Sequence, residues 1–274
     1  MREKTRGLNR EANFSGQPAT TWGTQVTANS TVHTLSDTFT ELIASTAYTT
    51  SWVNILIHST GQAATQQDIL INIYVGADGS EQLVIPYLTG GWSPQMINGS
   101  NFKRYSFPLS IPQGSRLSMK AQSDTSSKTA YVMVDLLSGT HEAHWTGTGV
   151  EAVGVNTGTS VGTSVTAGTT SDGTLTSIGT NTYEWGYCLP TIGGNISDVS
   201  QSSGLQTIDL ASSNSTANLL PGLGNFLVAM NSSEQVFNLE QGRFCTVPAG
   251  TTLYARGRTD ATAEAKDYII YGVH

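Results

Sequence analysis

The chain repeats itself. Ile111-Pro112-Gln113-Gly114-Ser115-Arg116-Leu117, followed by Lys120, Ser123-Asp124 and Tyr131-Val132-Met133-Val134, returns later. Its second appearance is Val247-Pro248-Ala249-Gly250-Thr251-Thr252-Leu253, then Arg256, Thr259-Asp260 and Tyr268-Ile269-Ile270-Tyr271. The Pro, the Gly, the Leu, the base and the Asp all recur at an offset of 136. Three further matches keep the same order. Gly23-Thr24-Gln25-Val26-Thr27-Ala28 echoes Gly162-Thr163-Ser164-Val165-Thr166-Ala167, Ser51-Trp52 echoes Glu184-Trp185, and Ile85-Pro86-Tyr87-Leu88 echoes Leu220-Pro221-Gly222-Leu223, at offsets of 139, 133 and 135. One such pair could arise by chance among so many Thr and Ser residues, but four in register indicate a duplication. The 274 residues accommodate two domains of ordinary size.

Each repeated piece has strand character. Trp52-Val53-Asn54-Ile55-Leu56-Ile57 is an apolar run, and Asp68-Ile69-Leu70-Ile71-Asn72-Ile73-Tyr74-Val75 ends in Gly76-Ala77-Asp78-Gly79, a hairpin signal. Pro112-Gln113-Gly114 presets a turn, and Arg116-Leu117-Ser118-Met119-Lys120-Ala121 then alternates polar and apolar. Thr, Ser, Asn and 29 Gly residues fill the places that a helical protein gives to Glu, Lys, Leu and Ala, and only 12% of residues are charged. The expected fold class is all-β: two tandem antiparallel β-sandwich or jelly-roll domains related by internal duplication. The boundaries read as an extended basic arm over 1–22, a first domain over 23–138, a Gly/Thr-rich linker over 139–161 and a second domain over 162–274.

Gly79-Ser80-Glu81-Gln82-Leu83-Val84-Ile85-Pro86, Phe107-Pro108-Leu109-Ser110-Ile111-Pro112-Gln113-Gly114-Ser115-Arg116 and Gln122-Ser123-Asp124-Thr125-Ser126-Ser127-Lys128 carry a resemblance. They resemble jelly-roll structural proteins of tailed-bacteriophage particles, such as capsid decoration (cement) proteins and accessory tail proteins. The resemblance covers about residues 50–137 and is weak in the second copy, where Thr216-Ala217 stand in place of Glu81-Gln82. It implies a homotrimeric virion component that contacts a major capsid protein or other virion proteins. A head-decoration role is the first expectation. A tail or fibre attachment protein that binds surface glycans, and a small double jelly-roll major capsid protein, are the alternatives.

Charge is unevenly placed. The formal net charge is -7, which argues against nucleic acid as the partner. Arg2, Lys4, Arg6 and Arg10 nevertheless crowd the start, and no further Lys or Arg appears before Lys103. Such an arm reads either as a segment docking on an acidic neighbour or as a solvated terminus. No apolar run of 18 residues suggests a membrane span, and Met1-Arg2-Glu3-Lys4 lacks the apolar core of a secretory signal, so folding in the host cytoplasm is expected. Cys188 and Cys245 read as two free thiols, with a single bridge as the alternative.

Chemistry is hard to find. His141-Glu142-Ala143-His144 is the one histidine cluster, but its spacing is not that of a metal-binding helix and its surroundings are Gly- and Thr-rich. No nucleophile elbow, P-loop or dinucleotide fingerprint occurs, so neither an enzyme nor a cofactor is expected. Trp52 and Trp185, at matching strand starts, read as core residues. Trp92, in Gly90-Gly91-Trp92-Ser93-Pro94, and Trp145 are the candidate surface contacts, facing a neighbouring subunit or a glycan; Trp92 reads equally as a subunit contact or a loop-packing residue, with sugar a distant third.

Overall fold

The computed structural model describes residues 9–13, 23–59, 67–92, 102–139, 145–192, 204–220, 224, 226–230, 242–259 and 265–274. Apart from one 3-10 turn at Thr216–Asn218, every regular element among them is a strand. In the first half these are β1 (Asn9–Ala12), β2 (Thr24–Thr27), β3 (Thr40–Ile43), β4 (Trp52–Ser59), β5 (Gln67–Val75), β6 (Gln82–Trp92), β7 (Phe102–Phe107), β8 (Leu117–Ser123) and β9 (Thr129–Ser138). In the second half they are β10 (Val150–Val153), β11 (Thr163–Gly168), β12 (Thr176–Thr180), β13 (Trp185–Ile192), β14 (Gly204–Ala211), β15 (Phe226–Met230), β16 (Arg243–Val247), β17 (Thr252–Thr259) and β18 (Ala265–Val273).

The first half folds into two sheets of order β2-β9-β4-β7 and β3-β8-β5-β6. The second half pairs as β11-β18-β13-β16 and β12-β17-β14-β15, the same order with every label raised by nine. This is an eight-stranded jelly roll made twice. The copy extends beyond the eight strands: β1 runs antiparallel to the end of β9 as β10 runs antiparallel to the end of β18. In the second sandwich a short parallel contact, Ala167 with Gly257 and Gly168 with Arg258, joins its two sheets into one nine-stranded sheet.

Period-two patterning builds the first core. Val53, Ile55 and Ile57 on β4 and Ala130, Val132, Val134 and Leu136 on β9 turn inward and are fully buried. They meet Ile69, Ile71 and Ile73 of β5 and Leu117, Met119 and Ala121 of β8 within one apolar cluster. The repeated turn works alike in both copies: Gly114 (φ 80°) and Gly250 (φ 75°) take the left-handed backbone that glycine adopts without penalty.

The strand registers of the two halves can be compared with the repeated segments, and they require one revision. Gly23 lies against the carbonyl of Val132 as Gly162 lies against that of Tyr268, so the 139 and 136 offsets agree. In the next strand, however, Trp52 stands opposite Leu137 while Tyr187 stands opposite Val273. The structural counterpart of Trp52 is therefore Tyr187, at an offset of 135, and not Trp185. Trp185 is sealed in the second core, whereas Trp52 is only half-buried and packs on Tyr187. The segments expected as arm and linker also contain structure. β1 belongs to the first sandwich's sheet, and β10, within 139–161, belongs to the second's.

Gly272 of β18 lies directly beneath the indole of Trp185, where a Cβ would overlap the ring. A wholly buried indole has no free volume to retreat into. Gly272→Ala is expected to cost about 3 kcal/mol of stability, read as a lower urea midpoint at unchanged slope. A wild-type midpoint would show that the ring has room to move.

Candidate functional site

The feature that sets this chain apart from two beads on a string is the seam between its sandwiches. From Tyr268 onward strand β18 is apolar on both faces. Tyr268 and Ile270 point into the second core, while Ile269, Tyr271 and Val273 join the first sandwich's core from outside, together with Tyr187, Leu189 and Val150. Neighbouring residues of one strand thus belong to different cores, the mark of a sheet covered on both sides.

Two tyrosines anchor the seam. The Tyr271 hydroxyl donates to the carbonyl of Tyr87 at 2.7 Å. Its ring meets Tyr105 edge-on at 5.5 Å and Phe107 at 6.0 Å. The Tyr187 hydroxyl donates to the carbonyl of Ser106 at 2.9 Å, and its ring packs edge-on against Trp52 at 6.0 Å and Phe244 at 5.3 Å. Burial pushes the Tyr187 phenol well above its ordinary pKa, so it remains a donor at any physiological pH. Each ring buries its apolar body and places its one polar atom on a backbone acceptor.

The acceptor at Tyr87 is built locally. Tyr87 has φ 54°, an unusual conformation for a bulky residue, costing about 1–3 kcal/mol. The register of β5 and β6 shifts here, between Ile71 and Ile73. Buried Asn72 steadies the bulge, its Oδ1 accepting the Tyr87 N–H at 2.7 Å.

The connecting segment adds polar stitches. Gly147 N donates to Pro108 O at 3.0 Å, and Ser110 N donates to Gly147 O at 2.9 Å. Gln122 Nε2 donates to Thr157 O at 2.9 Å, and His33 Nδ1 meets the buried Ser160 hydroxyl at 3.1 Å. Glu151 of β10 accepts from Thr182 N at 2.7 Å and from Trp185 Nε1 at 2.9 Å, tying β10 to the start of β13.

Of the basic arm, Arg2, Lys4 and Arg6 lie outside the described residues. Arg10 sits in β1, where its Nε donates to Asp135 Oδ1 at 2.7 Å while the side chain stays 58% exposed. Trp145 is 37% exposed and lies over Gly186, where a Cβ would come within 2.8 Å of its ring. Trp92 ends β6, and its side chain lies outside the described residues, as does the cluster His141-Glu142-Ala143-His144. Among the described residues no three His, Cys, Asp or Glu groups converge as metal ligands, and no helix is long and apolar enough to cross a membrane.

Sequence reasoning left the seam unread. The signal was present in Tyr268-Ile269-Ile270-Tyr271, which is apolar at every position where a half-solvated strand alternates. Phe244, 52% exposed at the rim of the aromatic cluster, also escaped notice.

No family model and no curated protein matches this chain. Among solved structures, the STIV MCP aligns over 97% of this chain and 96% of its own, at 7% identity and a TM-score of 0.33. Tripeptidyl peptidase 2 aligns over 97% of this chain but 23% of its own, at 8% identity and a TM-score of 0.26. Neither similarity is close enough to assign a function. The fold is instead defined by the strand order itself: an all-β chain of two tandem antiparallel jelly rolls related by duplication.

Removing the Tyr271 hydroxyl in Tyr271→Phe leaves the Tyr87 carbonyl without its donor and is expected to cost about 1–2 kcal/mol. Tyr271→Ala opens a cavity between the sandwiches and is expected to cost about 3–5 kcal/mol. Urea unfolding followed by tryptophan fluorescence checks both. An alanine variant that unfolds at the wild-type midpoint would mean that the seam contributes nothing.

Proposed function

We propose that the chain is a non-enzymatic virion structural protein, a homotrimeric component of a shell assembled in the host cytoplasm. The observation that supports this most is the duplicated jelly roll joined through one seam. Jelly rolls recur in viral capsids, lectins and cupins.

Among the virion roles, the seam favours a shell subunit over a cement protein or a tail attachment protein. A cement protein that grips with one domain and displays the other works with separable halves. Here the second sandwich completes the core of the first, so both halves move as one block. Three such blocks place six similar sandwiches about one axis, an outline suited to tiling a closed surface. The arm residues Arg2, Lys4 and Arg6 then supply positive charge for neighbouring subunits of this acidic chain.

Light scattering on the purified chain, followed by antibody labelling of intact particles, tests the proposal. A trimer labelled over the whole shell, and retained when mild chaotrope strips accessory proteins, is the expected result. Release of the protein from a shell that stays intact would replace this reading with decoration. Label confined to a tail or one vertex would replace it with attachment.

A further inference from the structure

Cys188 and Cys245 are the only cysteines of the sequence, and both are free thiols. They lie on neighbouring antiparallel strands, β13 and β16, where Cys188 stands opposite Arg243. Two residues further along β16, Cys245 falls on the same face as Arg243, by the alternation of a strand. Cys188 is wholly buried in the second core and Cys245 packs against that core from its rim. The two thiols are electrostatically coupled, each shifting the other's ionisation. Diagonal partners of this kind have Cα atoms about 7–8 Å apart in a regular ladder, just beyond what a disulfide spans without backbone movement, so closure has to draw β16 toward β13. The ladder is irregular here: the register shifts between Trp185 and Tyr187, adjacent to Cys188.

We propose that Cys188 and Cys245 are a latent cross-link, closing into a disulfide that fastens β16 to β13 when the protein leaves a reducing compartment for an oxidising one. β16 is the last strand of its sheet, with β13 as its one ladder partner among the described residues. It also carries Phe244 against Trp52 and Tyr187, so its position decides one end of the seam. An edge strand held by a single ladder is the element that gains most from a covalent tie. The cross-link lies within the second sandwich and stands whether or not the chain builds a shell.

The environments of the two thiols divide the work. The neighbouring Cys188 thiol holds the Cys245 thiol below its ordinary pKa, while that same pairing and burial push Cys188 up. Cys245, partly open to solvent, is the attacking thiolate and Cys188 the resolving thiol. With glutathione disulfide as oxidant, the Cys245 sulfur bonds to one glutathione sulfur and expels the other as thiolate. Cys188 then attacks the Cys245 sulfur, gives up its proton, and expels the second glutathione. The protein loses two hydrogens and two electrons, and one glutathione disulfide becomes two thiols.

The test uses the full-length chain incubated with glutathione disulfide, then thiol titration under denaturing conditions and a non-reducing peptide map. The expected result is loss of both thiols together, a peptide joining Cys188 to Cys245, and a melting temperature raised by roughly 5 °C. Excess reduced glutathione should reverse all three. In Cys188→Ala the reaction should halt with glutathione bound to Cys245. Should that variant not fold, the wild-type peptide map decides alone. Wild-type protein that stops at the glutathione adduct, keeps both thiols, or cross-links without a rise in melting temperature overturns the proposal.

Discussion

Everything in this molecule depends on two neighbouring strands, β13 and β18, that are covered on both faces along most of their length. The sheet containing β13 and β18 sends Trp185, Cys188, Tyr268 and Ile270 into one core and Tyr187, Leu189, Ile269, Tyr271 and Val273 into another. Apolar burial contributes about 25 cal/mol per Å², and this sheet collects it on both sides. Most antiparallel sheets give one face to water and alternate accordingly. Here, where the outer face would otherwise be wet, the first sandwich takes the place of solvent.

Specificity within the seam comes from its few polar atoms. Apolar faces slide past one another at little cost, but two phenol hydroxyls seeking two backbone carbonyls do not. Tyr271 reaches Tyr87 only because a bulge presents that carbonyl, and the bulge stands because Asn72 captures the Tyr87 amide. An unmade bond to a buried carbonyl costs more than a made one contributes. The strained backbone at Tyr87 is thus held in place by the contact it enables.

The sequence made the duplication legible because turns conserve what turns require. Pro112 and Gly114 return as Pro248 and Gly250, since the same φ values are needed at both places. The apolar runs that became β4 and β5 marked strands of the first core equally well. What misled was the pairing of Trp52 with Trp185, for identity of residue type was taken as identity of position. Backbone register shows two different faces. The strand character of Val150–Val153 was hidden by its Gly- and Thr-rich neighbours. The seam escaped for a deeper reason. A continuous apolar run indicates that both faces of a strand are covered, but nothing local states what covers the second one.

That covering has a consequence for the order of events at the ribosome. The first sandwich ends at Ser138, yet the residues that finish its core, Ile269, Tyr271 and Val273, are made more than a hundred residues later. At about 5–20 residues per second, the nascent first half waits on the order of ten seconds with an apolar flank open. In a crowded polysome that flank faces many identical nascent chains, and the second half of any one of them could fit it. Synthesis therefore sets a race between closing on one's own partner and closing on a neighbour's, and the short connection between the halves favours the former by keeping its effective concentration high.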